Sequence, residues 1–178
     1  MLADFKITTA TKKDIPEICR VHKTAWLATY ATDIFGLSQS DILTKDFDSP
    51  AKINNWHDSL DDDNFKLWVA TIDKQIIGFC GGKKLNSHND FSVVYILPEH
   101  QRKGIGKALA KAALNWLIED KPLKVEVAKE NKNAISFYKS LGFGKELPSN
   151  PVILTNGKKI DIIKMYLEKN GNSQKNLA

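Results

Sequence analysis

A run of polar and glycine residues, Gln101-Arg102-Lys103-Gly104-Ile105-Gly106-Lys107, follows the apolar segment Phe91 to Leu97 and Pro98, and opens a strongly amphipathic stretch. A strand that feeds a basic, glycine-bearing turn at a helix start is suited to holding phosphates. The first-turn N–H groups have no intrahelical partner, and the helix dipole favours negative charge beside them. Glycine at 104 and 106 removes Cβ atoms that would keep a diphosphate from the backbone amides. Arg102, Lys103 and Lys107 add positive charge, and each favourable charge at a helix start is worth roughly 0.3–1 kcal/mol. The competing explanation of the glycines is plain helix-start geometry. His22, His57, His88 and His100 show no metal-ligand spacing, so no metal is expected.

The elements that must carry this turn are legible as a series. Phe5 to Thr9 alternates as a first strand. Asp14 and Glu17 have capping-box spacing, and Ile15, Ile18, Cys19, His22, Ala25, Trp26 and Thr29 follow at helical spacing to about Tyr30. Between Ala31 and Asp63, Ser40 is placed to cap a short helix from Asp41 to Phe47, and Ala51 to Leu60 forms another. Leu67 to Ile72, Asp73-Lys74 and Ile76 to Cys80 read as a hairpin whose second strand ends or bulges at Gly81-Gly82. Phe91 to Leu97 is a third partner. The helix from about Gly104 puts Ile105, Ala108, Leu109, Ala112, Ala113, Trp116 and Leu117 on one face, with Pro122 as its stop. Leu123 to Ala128 is a strand, and Asn133 to Leu141 a helix closed by Gly142. Val152 to Leu154, a turn at Asn156-Gly157 and Ile160 to Leu167 suggest a final hairpin. The expected fold is a single α/β (α+β) domain over residues 1–178. It has a mixed, mostly antiparallel twisted sheet of about seven strands with helices on both faces. The core runs over 4–168, and 169–178 form a polar, flexible tail.

Bulk properties narrow the class. No apolar run reaches the roughly 18 residues of a membrane span, and the N-terminus lacks a signal-peptide core. Cys19 and Cys80 suggest neither a disulfide framework nor a thiolate metal site, so a cytoplasmic protein is expected. The net charge of +5 comes from dispersed lysines without aromatic interleaving, which argues against nucleic acid and suits a polyanionic ligand.

Three phosphate-binding designs compete. A P-loop needs a hydroxyl after its Gly-Lys, whereas Ala108 follows Gly106-Lys107, and the earlier glycine would fall at Gln101. A dinucleotide turn would use Gly104-Ile105-Gly106 with Glu126 as its acid, but it lies in mid-chain, crowded by cations, with Leu109 where a small residue belongs. In the third, Gln101-x-x-Gly104-x-Gly106 joins Asn131-Lys132-Asn133-Ala134-Ile135-Ser136-Phe137-Tyr138-Lys139-Ser140-Leu141-Gly142-Phe143. Together, and in this order, the two blocks resemble the GNAT superfamily of acyl-CoA-dependent N-acetyltransferases. The likeness in element order runs from Phe5 to Leu167.

That resemblance implies acetyl-CoA as co-substrate, no metal, and transfer of its acetyl group to a primary amine of a small molecule or peptide by direct attack in a ternary complex. The third and fourth main strands of such proteins splay, and the cofactor enters the cleft. Tyr95, Ile96 and Leu97 would line the pantetheine arm; Gln101 to Lys107, with Arg102, Lys103 and Ile105, would hold the diphosphate. Asn131 would contact the cofactor, although a helix cap needs the same residue type. Tyr138 would give a proton to the coenzyme sulfur, its neighbour Phe137 packing inward. Asp90 aligns with the position of a general base, or is a strand-edge carboxylate; His88 lies nearby, where a lone loop histidine is usually solvated. Trp26 and Tyr30 fall at the acceptor site, although Trp26 suits the core better than a substrate wall. A homodimer is common in the superfamily. Two alternatives stay open: a non-catalytic acyl-CoA-binding module, and an acetyltransferase acting on aminoacyl-tRNA.

Overall fold

A computed structural model describes residues 4–119 and 121–167; the expected tail at 169–178 lies outside them. The chain runs β1 (Lys6–Thr9), α1 (Ile15–Tyr30), α2 (Gln39–Ile42), α3 (Pro50–Asp61), β2 (Phe65–Ile72), β3 (Gln75–Lys84), β4 (Asn89–Ile96), α4 (Ile105–Leu117), β5 (Leu123–Ala128), α5 (Lys132–Ser140), β6 (Phe143–Pro148), β7 (Val152–Ile153), β8 (Lys159–Ile160) and β9 (Ile162–Leu167). Seven strands form one sheet in the order β1-β2-β3-β4-β5-β9-β6, and β7 and β8 make a separate clip. All pairings are antiparallel except β4 with β5. The mixed, mostly antiparallel α/β fold expected from the sequence is therefore present.

Alternation along β3 shows how the sheet is covered. Phe79 packs against His22 of α1, while the next residue, Cys80, directs its Sγ to the Leu109 carbonyl of α4 at 3.2 Å. Successive strand side chains leave opposite faces, so α1 and α4 lie on opposite sides. The main core joins them through Ile15, Ile18, Leu67, Phe79, Leu109, Leu114 and Met165. A second cluster links Trp26, Leu37, Ile42 and Phe47 to Ala128 at the end of β5 and to Leu154 and Ile160 of the clip. The clip is also pinned to α2. Asn156 Nδ2 and Lys158 Nζ donate to the Asp41 carboxylate at 2.8 and 2.7 Å, and Thr155 Oγ1 donates to the Thr44 carbonyl at 2.9 Å.

Two irregularities shape the centre of the sheet. Gly81 pairs with Val93 and Gly82 with Phe91, leaving Ser92 as the extra residue of a bulge. Glycine suits position 82 because a Cβ there would fall 2.6 Å from Leu117 Cδ1. On the other edge, β4 and β5 pair only at Asn89–Leu123 and Asp90–Lys124, and then separate. The parting lies beside the Phe91 to Leu97 segment, as expected of a sheet splayed at its cleft.

Several local expectations are corrected. Asp14 does not cap with Glu17; its carboxylate instead receives the Thr11 N–H and hydroxyl at 2.7 and 2.9 Å. Ser38 rather than Ser40 caps the short helix, in a reciprocal box with Asp41. In α4 the fully buried stripe is Ile105, Leu109, Ala110, Ala113, Leu114 and Leu117. Ala108, Ala112 and Trp116 sit at its margin, where Trp116 packs against Trp68. The helix ends at Leu117, ahead of Pro122. The expected last hairpin divides, since β7 pairs with β8 while β9 fills the sheet between β5 and β6.

Asn89 holds the joint from which β4 departs. It is fully buried; its Nδ2 donates to the Leu117 carbonyl at 2.8 Å, and its Oδ1 accepts the Leu85 N–H at 3.3 Å. It thus satisfies a carbonyl that the end of α4 leaves without an intrahelical donor. Asn89→Ala should lower unfolding free energy by about 1–3 kcal/mol, the cost of stranding buried polar groups, read from urea denaturation of the two proteins.

Candidate active site

The anion-binding turn is built by strand geometry above and helix geometry below. After β4, a single helical turn at Pro98–His100 reverses the chain, and Gln101 Nε2 donates to the Ile96 carbonyl at 3.1 Å. The Gln101 side chain therefore braces the loop against the last residue of β4. Arg102 (φ 60°) and Gly104 (φ 81°) both take left-handed backbone conformations. Such a path turns successive N–H groups toward one side, as anion-binding nests do. α4 starts at Ile105, and its first intrahelical bond runs from Ala108 N–H to Gly104 O at 3.1 Å. Arg102, Lys103 and Lys107 are exposed around this opening.

The two glycines have different jobs. Beside Gly104 a Cβ would meet nothing within 4 Å, so glycine serves the positive φ and leaves the approach clear. A Cβ at Gly106 would lie 3.2 Å from Ile96 Cδ1 and 3.4 Å from Phe137 Cε2. Glycine there lets the helix start settle between β4 and α5. These residues fit a diphosphate: an open, cation-ringed set of unpaired amides at a helix start.

Beyond Asp90, the β5-facing edge of β4 has no strand beside it. Its backbone can pair with an extended ligand, as a sheet edge pairs with an added strand. The three expected lining residues differ in role. The Ile96 carbonyl is taken by Gln101, and Leu97 is buried, its N–H donating to the Ile77 carbonyl at 2.9 Å. Tyr95 turns its ring toward α1 and accepts the Trp26 indole N–H at 2.8 Å.

Tyr138 is the more buried of the α5 aromatic pair. It stands edge-on to Phe91 and Phe143, and burial, with Tyr30 and Cys80 nearby, pushes its phenol above the ordinary range. The phenol is therefore a neutral donor throughout the physiological range. Phe137, assigned to packing from the sequence, is only partly buried and covers Gly106. Asn131 accepts the Ala134 N–H at 3.0 Å and so caps α5. Its side chain also draws down the Tyr30 phenol, which burial raises to about 12. Cap and cleft residue are thus compatible in one side chain.

Asp90 lies at the vertex where β4 and β5 part, with Lys124 Nζ and His88 Nε2 each 3.3 Å from Oδ1. It alternates with Phe91, which meets Tyr138, so Asp90 and Tyr138 address the gap from opposite faces. Lys124 also lies 3.6 Å from Glu126. Trp26, placed at the acceptor site from the sequence, is 6% exposed and belongs to the second core, its ring tilted at 59° to that of Tyr30 with centroids 4.7 Å apart. Beside it, His22 packs against Trp26, Phe47 and Tyr95. Burial, with Lys45 and Lys52, lowers its pKa to about 3. Sequence reasoning missed Lys124, because only the β4–β5 register brings it to Asp90, and missed Asn89, whose partners lie on another element.

A profile of the acetyltransferase (GNAT) family matches residues 26–143. The chain belongs to that family, and it is an acyltransferase. Spermidine N(1)-acetyltransferase of Vibrio cholerae serotype O1 is 28% identical over 127 residues, covering 68% of this chain and 72% of that protein. The "Probable N-acetyltransferase camello" of Xenopus laevis is 29% identical over 99 residues, 53% of this chain. That match spans only 45% of the Xenopus protein's own length. Among solved structures, PaiA N-acetyltransferase from Thermoplasma acidophilum in complex with coenzyme A superposes with a TM-score of 0.70 at 22% identity, over 90% of this chain and 98% of that one.

The buried neutral His22 gives a pH signature. In the unfolded chain the imidazole titrates near its ordinary 6.5, and in the folded protein near 3. Between these values the unfolded state binds the extra proton, so stability is full above pH 6.5 and declines by a few kcal/mol as pH falls toward 3. His22→Leu should flatten this part of the acid profile, measured as the wild-type-minus-variant difference in denaturation midpoints against pH.

Proposed function

We propose that the protein transfers the acetyl group of acetyl-CoA to a primary amine of a small molecule or peptide, by direct attack within a ternary complex. The observation that carries this is the β4 edge, parted from β5 beyond Asp90 and ending at the amide-lined turn of Arg102 to Gly106. The resemblance to a polyamine acetyltransferase and to a coenzyme A complex supports the donor. The acceptor class beyond a primary amine is left to experiment.

Gly104, Ile105, Gly106 and Lys107 hold the diphosphate through main-chain N–H groups, with Arg102, Lys103 and Lys107 neutralising its charge. The β4 edge between Asp90 and Leu97 orients the extended arm; Gln101, bonded to the Ile96 carbonyl, keeps that edge and the turn in fixed relation. The coenzyme supplies a thioester whose sulfur leaves as the amine attacks. Tyr138 donates its phenolic proton to that sulfur, and burial keeps the proton on the phenol until then. Asp90, on the other face, receives a proton from the acceptor ammonium so that the nitrogen lone pair is available. Asn131, at the start of α5, contacts the cofactor, and Tyr30 with the residues about α2 forms the acceptor side. A single domain, a cytoplasmic setting consistent with two buried free thiols, and a homodimer belong to the same proposal.

Tyr138→Phe should reduce turnover roughly a hundredfold while leaving coenzyme A affinity within about twofold. The readouts are free-thiol release with an amine panel and calorimetry. Gly104→Val should do the reverse at subsaturating donor, weakening cofactor uptake through its left-handed φ and its side chain over the amides. Unchanged uptake in Gly104→Val would remove the turn from the binding site.

A further inference from the structure

Two buried polar atoms face each other at the vertex of the cleft. His88 Nε2 and Asp90 Oδ1 are 3.3 Å apart, and neither makes a hydrogen bond of good geometry within the described residues. Orphaned buried polar atoms are costly, and a facing pair is relieved when a proton lies between them. The other ring nitrogen, Nδ1, is 2.9 Å from Ser87 Oγ. The imidazole therefore spans from the buried Oδ1 of Asp90 to an exposed hydroxyl, and the two side chains are similarly exposed, 29% for His88 and 28% for Asp90.

We infer that His88 is a positioning residue that carries the acceptor's proton away from Asp90, so that the carboxylate and the imidazole work as one proton-accepting unit; this rests on the acetyl-transfer reading above. In the resting unit Asp90 is a carboxylate and His88 a neutral ring whose proton is on Nδ1, toward Ser87, leaving Nε2 free to accept. An N–H bond of the acceptor ammonium breaks, and the proton passes by way of Asp90 to the ring. The products are a neutral amine and an imidazolium, with Nε2–H donating to Asp90 and Nδ1–H donating to Ser87. The imidazolium then releases its proton to solvent from its exposed side, and the resting charge is restored.

The charged groups around the unit fit this role. Lys124 of β5 lies 3.3 Å from the same Oδ1 and 3.6 Å from Glu126, which shares its charge. Lys83 of β3 is in register with Asp90 but is paired with Asp62 at 3.2 Å. On the α4 side, Glu119 lies 3.4 Å from Asn89, and Lys121 Nζ donates to the Leu85 carbonyl at 3.1 Å.

The test compares His88→Gln and His88→Ala with the wild type in steady-state acetyl transfer from pH 5 to 9, with melting temperatures as a control. Glutamine keeps an N–H for Asp90 but cannot accept a proton. A proton-carrying His88 requires both variants to lose about a hundredfold in kcat near neutral pH. Both should also shift the acid limb of the profile, and His88→Ala should regain turnover with added imidazole, all with melting unchanged. Normal turnover in His88→Gln with loss confined to His88→Ala would reduce the residue to a structural prop and overturn the inference. So would an unmoved acid limb in both. The underlying reading fails separately, through absent coenzyme A uptake or absent thiol release by the wild type.

Discussion

The two-residue pairing of β4 with β5 is the constraint around which the rest of the structure is arranged. Were the parallel ladder to continue past Asp90–Lys124, the β4 edge would be satisfied by protein and no extended ligand could use it. Three features hold it open. The Ser92 bulge redirects β4 in mid-strand, Asn89 ties the strand's origin to the end of α4, and Gly82 lets Leu117 press against the sheet where the bulge lies. An exposed strand edge invites aggregation, and here it is recessed between two covered faces instead of at the margin of the sheet.

What was legible in the sequence is what is local. The β2–β3 hairpin, α4, β5 and α5 each carry their own signals: a two-residue turn, a helical stripe, an apolar run, a glycine stop. The turn at Gly104 was legible for the same reason, since its strand, glycines and helix start are contiguous. β6 was not, because only Phe143 in it is fully buried, leaving no alternation to detect. The placement of β9 between β5 and β6 is a long-range pairing that no short window encodes. At the candidate site, the position of Tyr138 on its helix could be read, but not that Phe137 would be the more exposed of the two. The grouping of His88, Asp90 and Lys124 depends on a parallel register between strands separated by a whole helix.

The two faces of the gap differ in chemistry. On the α5 side Tyr138 is enclosed by Phe91 and Phe143, an apolar setting that keeps a phenol protonated. On the other side, ionic groups at the vertex give way to an aromatic set, Tyr95, Trp26 and Tyr30, in which the polar tips of Trp26 and Tyr95 satisfy each other. Lys45 extends over the Trp26 ring with Nζ 4.9 Å from its centroid. An apolar α5 side and an ionic vertex are the separation that the proposed proton donor and acceptor require if the two are not to neutralise each other.

The clip formed by β7 and β8 has a bearing on how the molecule is made. Asp41 meets Asn156 and Lys158 across sequence separations of 115 and 117 residues, and Leu154 and Ile160 complete the second apolar cluster. Contacts of such span close large loops and form late in folding. The β2–β4 meander precedes the clip in the chain and brings Tyr95 to Trp26, which Phe47 also meets, so Leu154 and Ile160 close a cluster that is already partly assembled.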